Sequence, residues 1–89
     1  MPNSKQATKR LRQARDRNLR NRKVKSEIKT YTRKVLEALE VKDASAAEEL
    51  LRVAHAKLDR AAQKGILHRN TVNRRKSLLS RKVAELSTH

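Results

Sequence analysis

Ten cationic side chains and a single acid occupy residues 1 to 25: Lys5, Lys9, Arg10, Arg12, Arg15, Arg17, Arg20, Arg22, Lys23 and Lys25 against Asp16. A second block, Lys64 to Lys82, holds seven cations and no acid: Lys64, Arg69, Arg74, Arg75, Lys76, Arg81 and Lys82. Ammonium and guanidinium groups at this density suit one task, holding phosphate oxygens by charge-assisted hydrogen bonds. The intervening residues 37 to 63 carry four cations and six acids, a local charge of −2. Over all 89 residues, 24 Lys and Arg stand against 9 Asp and Glu, for a formal charge of +15. Self-repulsion at that charge opposes a compact state, so a bound polyanion is expected to stabilise the fold as well as to be its partner. Nucleic acid is the first candidate. An anionic membrane surface fits less well, because the N-terminal block lacks the Trp, Phe and Leu face that enters lipid, and no apolar run approaches the roughly 20 residues that span a bilayer.

The stretch KGILHRNTVNRRK, Lys64 to Lys76, contains the only glycine. Gly65 can take the left-handed conformation that closes a helix, with Ile66 folding back on the last turn. Asn70 is then predicted to cap the next helix. The amides at that helix start, with His68 as a turn residue beside them and Lys64, Arg69 and Arg74 around them, would suit a phosphate oxygen. Other chemistry finds no residues to carry it. There is no cysteine, so no disulfide or thiolate metal site is expected. His55, His68 and His89 share no ligand spacing, which argues against a metal. No catalytic acid pair, nucleophile motif or glycine-rich phosphate loop is present, and neither a cofactor nor an enzymatic activity is expected. Tyr31 is the one aromatic residue. It falls on an apolar stripe, so it is expected to pack in the core rather than stack on a base.

The elements that must position these cations follow from apolar spacing. Val24, Ile28, Tyr31, Val35, Ala38 and Leu39 recur at steps of three and four, as do Ala47, Leu50, Leu51, Ala54, Leu58, Ala61 and Ala62, and again Val72, Leu79, Val83 and Leu86. Links near 41 to 45 and 64 to 70 join the three stripes. The fold expected is all-α, a single domain over residues 1–89, an antiparallel three-helix bundle with an extended basic N-terminal helix. The second helix opens on either Ser45, with Glu48 completing a capping box, or Asp43. On the first helix Arg22, Lys29 and Arg33 lie opposite the apolar stripe; on the third, Arg74 and Arg81 do so, with Arg75 and Lys82 between the two sides. The middle helix mixes its charges as an ordinary solvated face does, and its Arg52 and Lys57 are expected to matter little for binding. Residues 1–23 form a basic extension without an apolar stripe. As a helix it sets like charges side by side at Lys5/Lys9, Arg12/Arg15 and Arg20/Lys23, so it is predicted to be disordered until phosphates neutralise it.

These residues resemble a known family. KGILHRNTVNRRKSLLSRKV is similar to the Lys-Gly-aliphatic-aliphatic-His-basic-Asn signature and following basic helix of the bacterial small-subunit ribosomal protein S20 family. NSKQATKRLRQARDRNLRNRKVKSEIKT resembles that family's basic first helix, and DASAAEELL its Asp-led second helix. The resemblance covers essentially the whole chain. It implies a structural protein of the small ribosomal subunit that binds small-subunit ribosomal RNA early in assembly, with other small-subunit ribosomal proteins as potential neighbours; the residues themselves point to a cytoplasmic chain, monomeric when free, with no membrane partner. It also implies RNA contacts in the N-terminal helix and from Gly65 to Lys76. Two rivals are a basic DNA-binding or nucleoid-associated helical protein, recognisable by dimerisation, and a membrane-surface helix, recognisable by vesicle binding.

Overall fold

One apolar stripe per helix leaves each helix unstable alone and stable only against the others. In the computed structural model, which describes residues 4–87, the three stripes meet. The helices are α1 Ser4–Glu40, α2 Ala44–Gln63 and α3 Arg69–Ser87, with no strand among the described residues. Ile28, Val35 and Ala38 of α1, Ala47, Ala54, Leu58 and Ala61 of α2, and Val72, Leu79 and Val83 of α3 form the buried core. Val24, Tyr31, Leu39, Leu50, Leu51 and Ala62 pack around it half-buried. Ala47, Ala54 and Ala61 are spaced by seven and fully buried, so α2 presents a seam with little side-chain volume to its neighbours. That seam suits a core built without Phe or Trp. Pairings across the helices fix their directions: Glu27 meets Lys57, and along α2 from His55 to Asp59 the partners on α3 run backwards from Ser80 to Lys76. The bundle is antiparallel.

Both connections are the same device. After α2, the Ile66 amide donates to the Ala61 carbonyl (2.9 Å) and the Gly65 amide to Ala62 (3.1 Å), with Gly65 at φ +73°. After α1, the Asp43 amide donates to Ala38 (3.0 Å) and the Lys42 amide to Leu39 (3.1 Å). Each is a Schellman turn, which needs one left-handed residue. At the first connection that residue is Lys42, at φ 58°. Asp43 then caps α2: its carboxylate accepts from the Ala46 amide at 3.1 Å and its carbonyl from Ala47 at 3.0 Å. The choice between Ser45 and Asp43 thus falls to Asp43, the residue that closes one helix and opens the next.

The two turns make a prediction with opposite signs. Lys42→Gly removes the left-handed penalty of an L-residue and should stabilise the chain by about 0.5–1 kcal/mol, a rise in midpoint of several degrees. Gly65→Ala should cost about 1 kcal/mol from backbone strain alone, because a Cβ built at Gly65 meets nothing within 4 Å. Thermal unfolding followed by circular dichroism checks both. A Lys42→Gly variant no more stable than the parent would contradict the account.

Every residue from Ser4 to Arg20 is exposed, and the first half-buried residue of α1 is Asn21. α1 is 37 residues long, about 55 Å at 1.5 Å per residue. Its N-terminal half therefore projects from the bundle as a bare cationic rod. The chain extends 68 × 22 × 14 Å, with a radius of gyration of 17.7 Å, against about 12 Å for a compact domain of this length.

Candidate nucleic-acid interface

The cations fall into three settings, and the simplest is the rod. Lys5, Lys9, Arg10, Arg12 and Arg15 stand exposed on it with no packing partner from α2 or α3. Arg22, Lys29 and Arg33 continue onto the side of α1 turned away from the core, where Arg33 makes one loose exposed pair with Glu37 (3.9 Å). Their position on the helix wheel was readable from the sequence, and the fold keeps it.

The second setting is the junction of rod and bundle. Arg17, Arg20 and Lys23 of α1 line a groove whose other wall is Lys57 and Arg60 of α2 with Lys64, Gly65 and Ile66 of the turn. It has a volume of about 710 Å³. Glu27 is the only acid in its lining, and its Oε2 lies 3.2 Å from the Lys57 ammonium. The groove joins the two basic blocks, which are some forty residues apart in sequence, through a segment of α2 whose summed charge gave no hint of it. Arg60 was missed by sequence reasoning for that reason. Its place in the last turn of α2, one turn before Lys64, was the available signal. Lys57 also departs from expectation. It is half-buried, held by Glu27 and set 5.0 Å from the centre of the Tyr31 ring, with the Lys34 ammonium at 4.9 Å. Tyr31 packs against the core and is flanked by two cations, so it is a packing residue, as its spacing suggested.

The third setting is α3. The helix begins at Arg69, one residue ahead of the expected cap Asn70, and His68 caps it instead. Its carbonyl accepts from the Val72 amide (3.1 Å), and its ring Nδ1 accepts from the Asn70 amide (3.1 Å). An imidazole acceptor two residues ahead does for that amide what an Asn side chain would have done. One orphan amide is thereby satisfied within the chain. Arg69 leans toward Asp59 of α2 (Nη1 to Oδ1, 3.5 Å), and Lys76 is half-buried with its ammonium 2.9 and 3.1 Å from the two Asp59 carboxylate oxygens. Lys76 lies only about 40° from Val72 on the wheel, near the apolar stripe, which explains why it turns inward. Beside this pair His55 reaches Ser80 Oγ at 3.3 Å. Burial lowers the His55 imidazole from its ordinary pKa, the nearby Lys76 charge adds to this, and a backbone hydrogen bond at Lys76 and the Asp59 carboxylate oppose it. Arg74, Arg75 and Arg81 remain exposed. Lys82 is exposed too, at the far end of the bundle beside Leu36, Leu39, Ala44 and Leu86, away from the groove.

Among the described residues no cluster of three His, Asp or Glu side chains could hold a metal ion, and no helix is long and apolar enough to cross a membrane. His89 lies outside the described residues. The site is an exposed cationic surface on a helical frame. Comparison with known proteins finds the family model for Ribosomal protein S20 over residues 2–84. The chain belongs to the ribosomal protein S20 family. Among its relatives is the small ribosomal subunit protein bS20 of Fusobacterium nucleatum, 46% identical over 86 residues, 97% of this chain and 96% of that one. Those of Salinispora tropica and Dinoroseobacter shibae are 47% and 48% identical over 87 residues, covering 98% of this chain and 99% of theirs. The S20 relationship thus spans the rod, the groove and the α2–α3 turn together.

Proposed function

We propose that the chain is a structural component of the small ribosomal subunit in the cytoplasm, where it binds small-subunit ribosomal RNA through phosphate and sugar contacts and supports assembly. Family membership carries the assignment to the ribosome, and the role of such proteins is structural rather than catalytic. The observation that carries the binding mode is the continuity of unpaired cations from the exposed rod into the groove. Phosphate and sugar contacts position a protein on RNA without reading bases, in keeping with a single, packed tyrosine. A bare rod with like charges at Lys5/Lys9 and Arg12/Arg15 has no burial to hold it helical. Its helix therefore depends on RNA counter-charge, and on the RNA it serves as a long strut.

The DNA-binding alternative needs a second copy to pair with the apolar stripe of α1, and that stripe is already covered by α2 through Ile28, Val35 and Ala38. The test is binding of the full chain to small-subunit ribosomal RNA and to duplex DNA of similar length over a salt series, with hydrogen exchange at residues 4–20. The expected result is monomeric protein, tighter binding to the ribosomal RNA, steep salt dependence and new protection of the rod when RNA is bound. Equal affinity for the DNA would favour the rival.

A further inference from the structure

We propose that the groove between α1 and the α2–α3 turn grips one stretch of RNA sugar–phosphate backbone, with Arg60 of the middle helix as a phosphate ligand facing Arg17 and Arg20. This rests on the ribosomal RNA-binding reading and deepens it, since that reading names neither Arg60 as a ligand nor a single strand held between the two walls.

The stripe of α1 continues past Val24 as cations. Measured from Val24 at 100° per residue, Arg17 and Arg20 lie at about 20° and −40°, within the same sector as Ile28, Tyr31 and Val35. They occupy the places where the apolar stripe would have continued, one and two turns beyond its last packed residue. Had this end of the bundle only to pack, leucine or alanine would serve there. Instead the stripe turns cationic where it passes over the end of α2, and α2 answers with Arg60 and Lys64. Those two sit well at a helix C-terminus on account of its dipole, but the dipole gives Arg17 and Arg20 no counter-charge. The single acid of the lining, Glu27, is engaged by Lys57 at 3.2 Å. Arg17, Arg20, Lys23, Arg60 and Lys64 thus converge on one concavity with no further acid in its lining, an arrangement that an entering anion would stabilise.

The shape selects the kind of anion. At roughly 30 Å³ per solvent molecule, 710 Å³ holds on the order of two dozen waters, ample for a phosphate with its flanking sugars. No aromatic side chain lines the groove, so a base would find nothing to stack on. At the turn its wall is Gly65, where no side chain keeps a backbone phosphate at a distance. The Asn21 amide is at hand for a sugar hydroxyl. The start of α3, by contrast, already has one amide taken by His68 and its Arg69 drawn to Asp59. The groove on the other flank of the turn is the better phosphate site.

The test uses the full chain and small-subunit ribosomal RNA in a salt series, with Arg60→Gln, Arg17→Gln, the double variant, Arg60→Lys, and Arg52→Gln as an exposed control on the same helix. Arg60→Gln should make the slope of log K against log salt shallower by about one unit and weaken binding about fourfold at 0.2 M salt, Arg60→Lys should keep the slope, and Arg52→Gln should change neither. The double variant should lose less than the product of the two single losses, because both side chains hold one strand. Matched thermal midpoints without RNA exclude a folding defect. If Arg60→Gln behaves as Arg52→Gln does while the parent chain still binds the RNA steeply, the groove assignment is wrong and the ribosomal reading stands. If the parent chain shows no preference for that RNA, both fall.

Discussion

Replacing Arg10, Arg12, Arg15 and Arg22 together with glutamine should lower the affinity for small-subunit ribosomal RNA by a few hundred-fold at 0.2 M salt, and flatten the salt slope by about three to four units. The size follows from counter-ion release: each lost phosphate contact removes about 0.9 from the slope, which near 0.2 M amounts to roughly fourfold in affinity. All four side chains are exposed, and none lines the groove, so the bundle should unfold at an unchanged or slightly higher temperature as repulsion within the rod is relieved. Filter binding across salt, with a thermal melt of the free variant, gives both numbers. A loss below about fivefold with an unchanged slope would mean that the rod is a solvated tail, and that phosphate contact lies elsewhere.

How much of this surface was legible beforehand depends on whether a feature is local. The three stripes were legible because helical period is a local property: Ile28, Val35, Leu58, Val72, Leu79 and Val83 are all buried where the spacing put them. Gly65 was legible because glycine is the residue that a left-handed position favours. Lys42 in the same role was not, since lysine carries no such signature and only the hydrogen bonds around it reveal the turn. Capping by His68 was hidden for a related reason. Asn is the commoner acceptor, and which residue opens the helix depends on where Ile66 and Leu67 dock on the core. The groove was the least legible feature. Net charge by segment placed Arg60 in a neutral middle, whereas folding sets it beside Arg17 and Arg20, which come from the far end of the charge map. Lys76 went the other way: counted with the third-helix cations, it is held at the interface with α2 by Asp59.

The charge that directs binding also opposes folding, and the core has little to spare against it. Leu58 is fully buried and, with Ile28, is the largest side chain among those with essentially no exposure. Leu58→Ala should cost about 3–4 kcal/mol from lost transfer energy and the cavity left behind. A helical domain of this size, with a thin aliphatic core and a charge of +15, has on the order of 5 kcal/mol in all. The free variant should therefore keep only about 1–2 kcal/mol of stability at room temperature, whereas Leu78→Ala, at a half-exposed position on α3, should keep most of it. RNA should reverse the defect. A ligand that binds only the folded chain adds about 2.7 kcal/mol at a hundred times its dissociation constant and about 4.1 at a thousand times. Hydrogen exchange of the α2 amides, with and without ribosomal RNA, measures this directly: protection lost in free Leu58→Ala should return on the RNA. If protection stays absent while the variant remains bound, the cations hold phosphate from an unfolded chain, and the bundle is not needed to set their spacing.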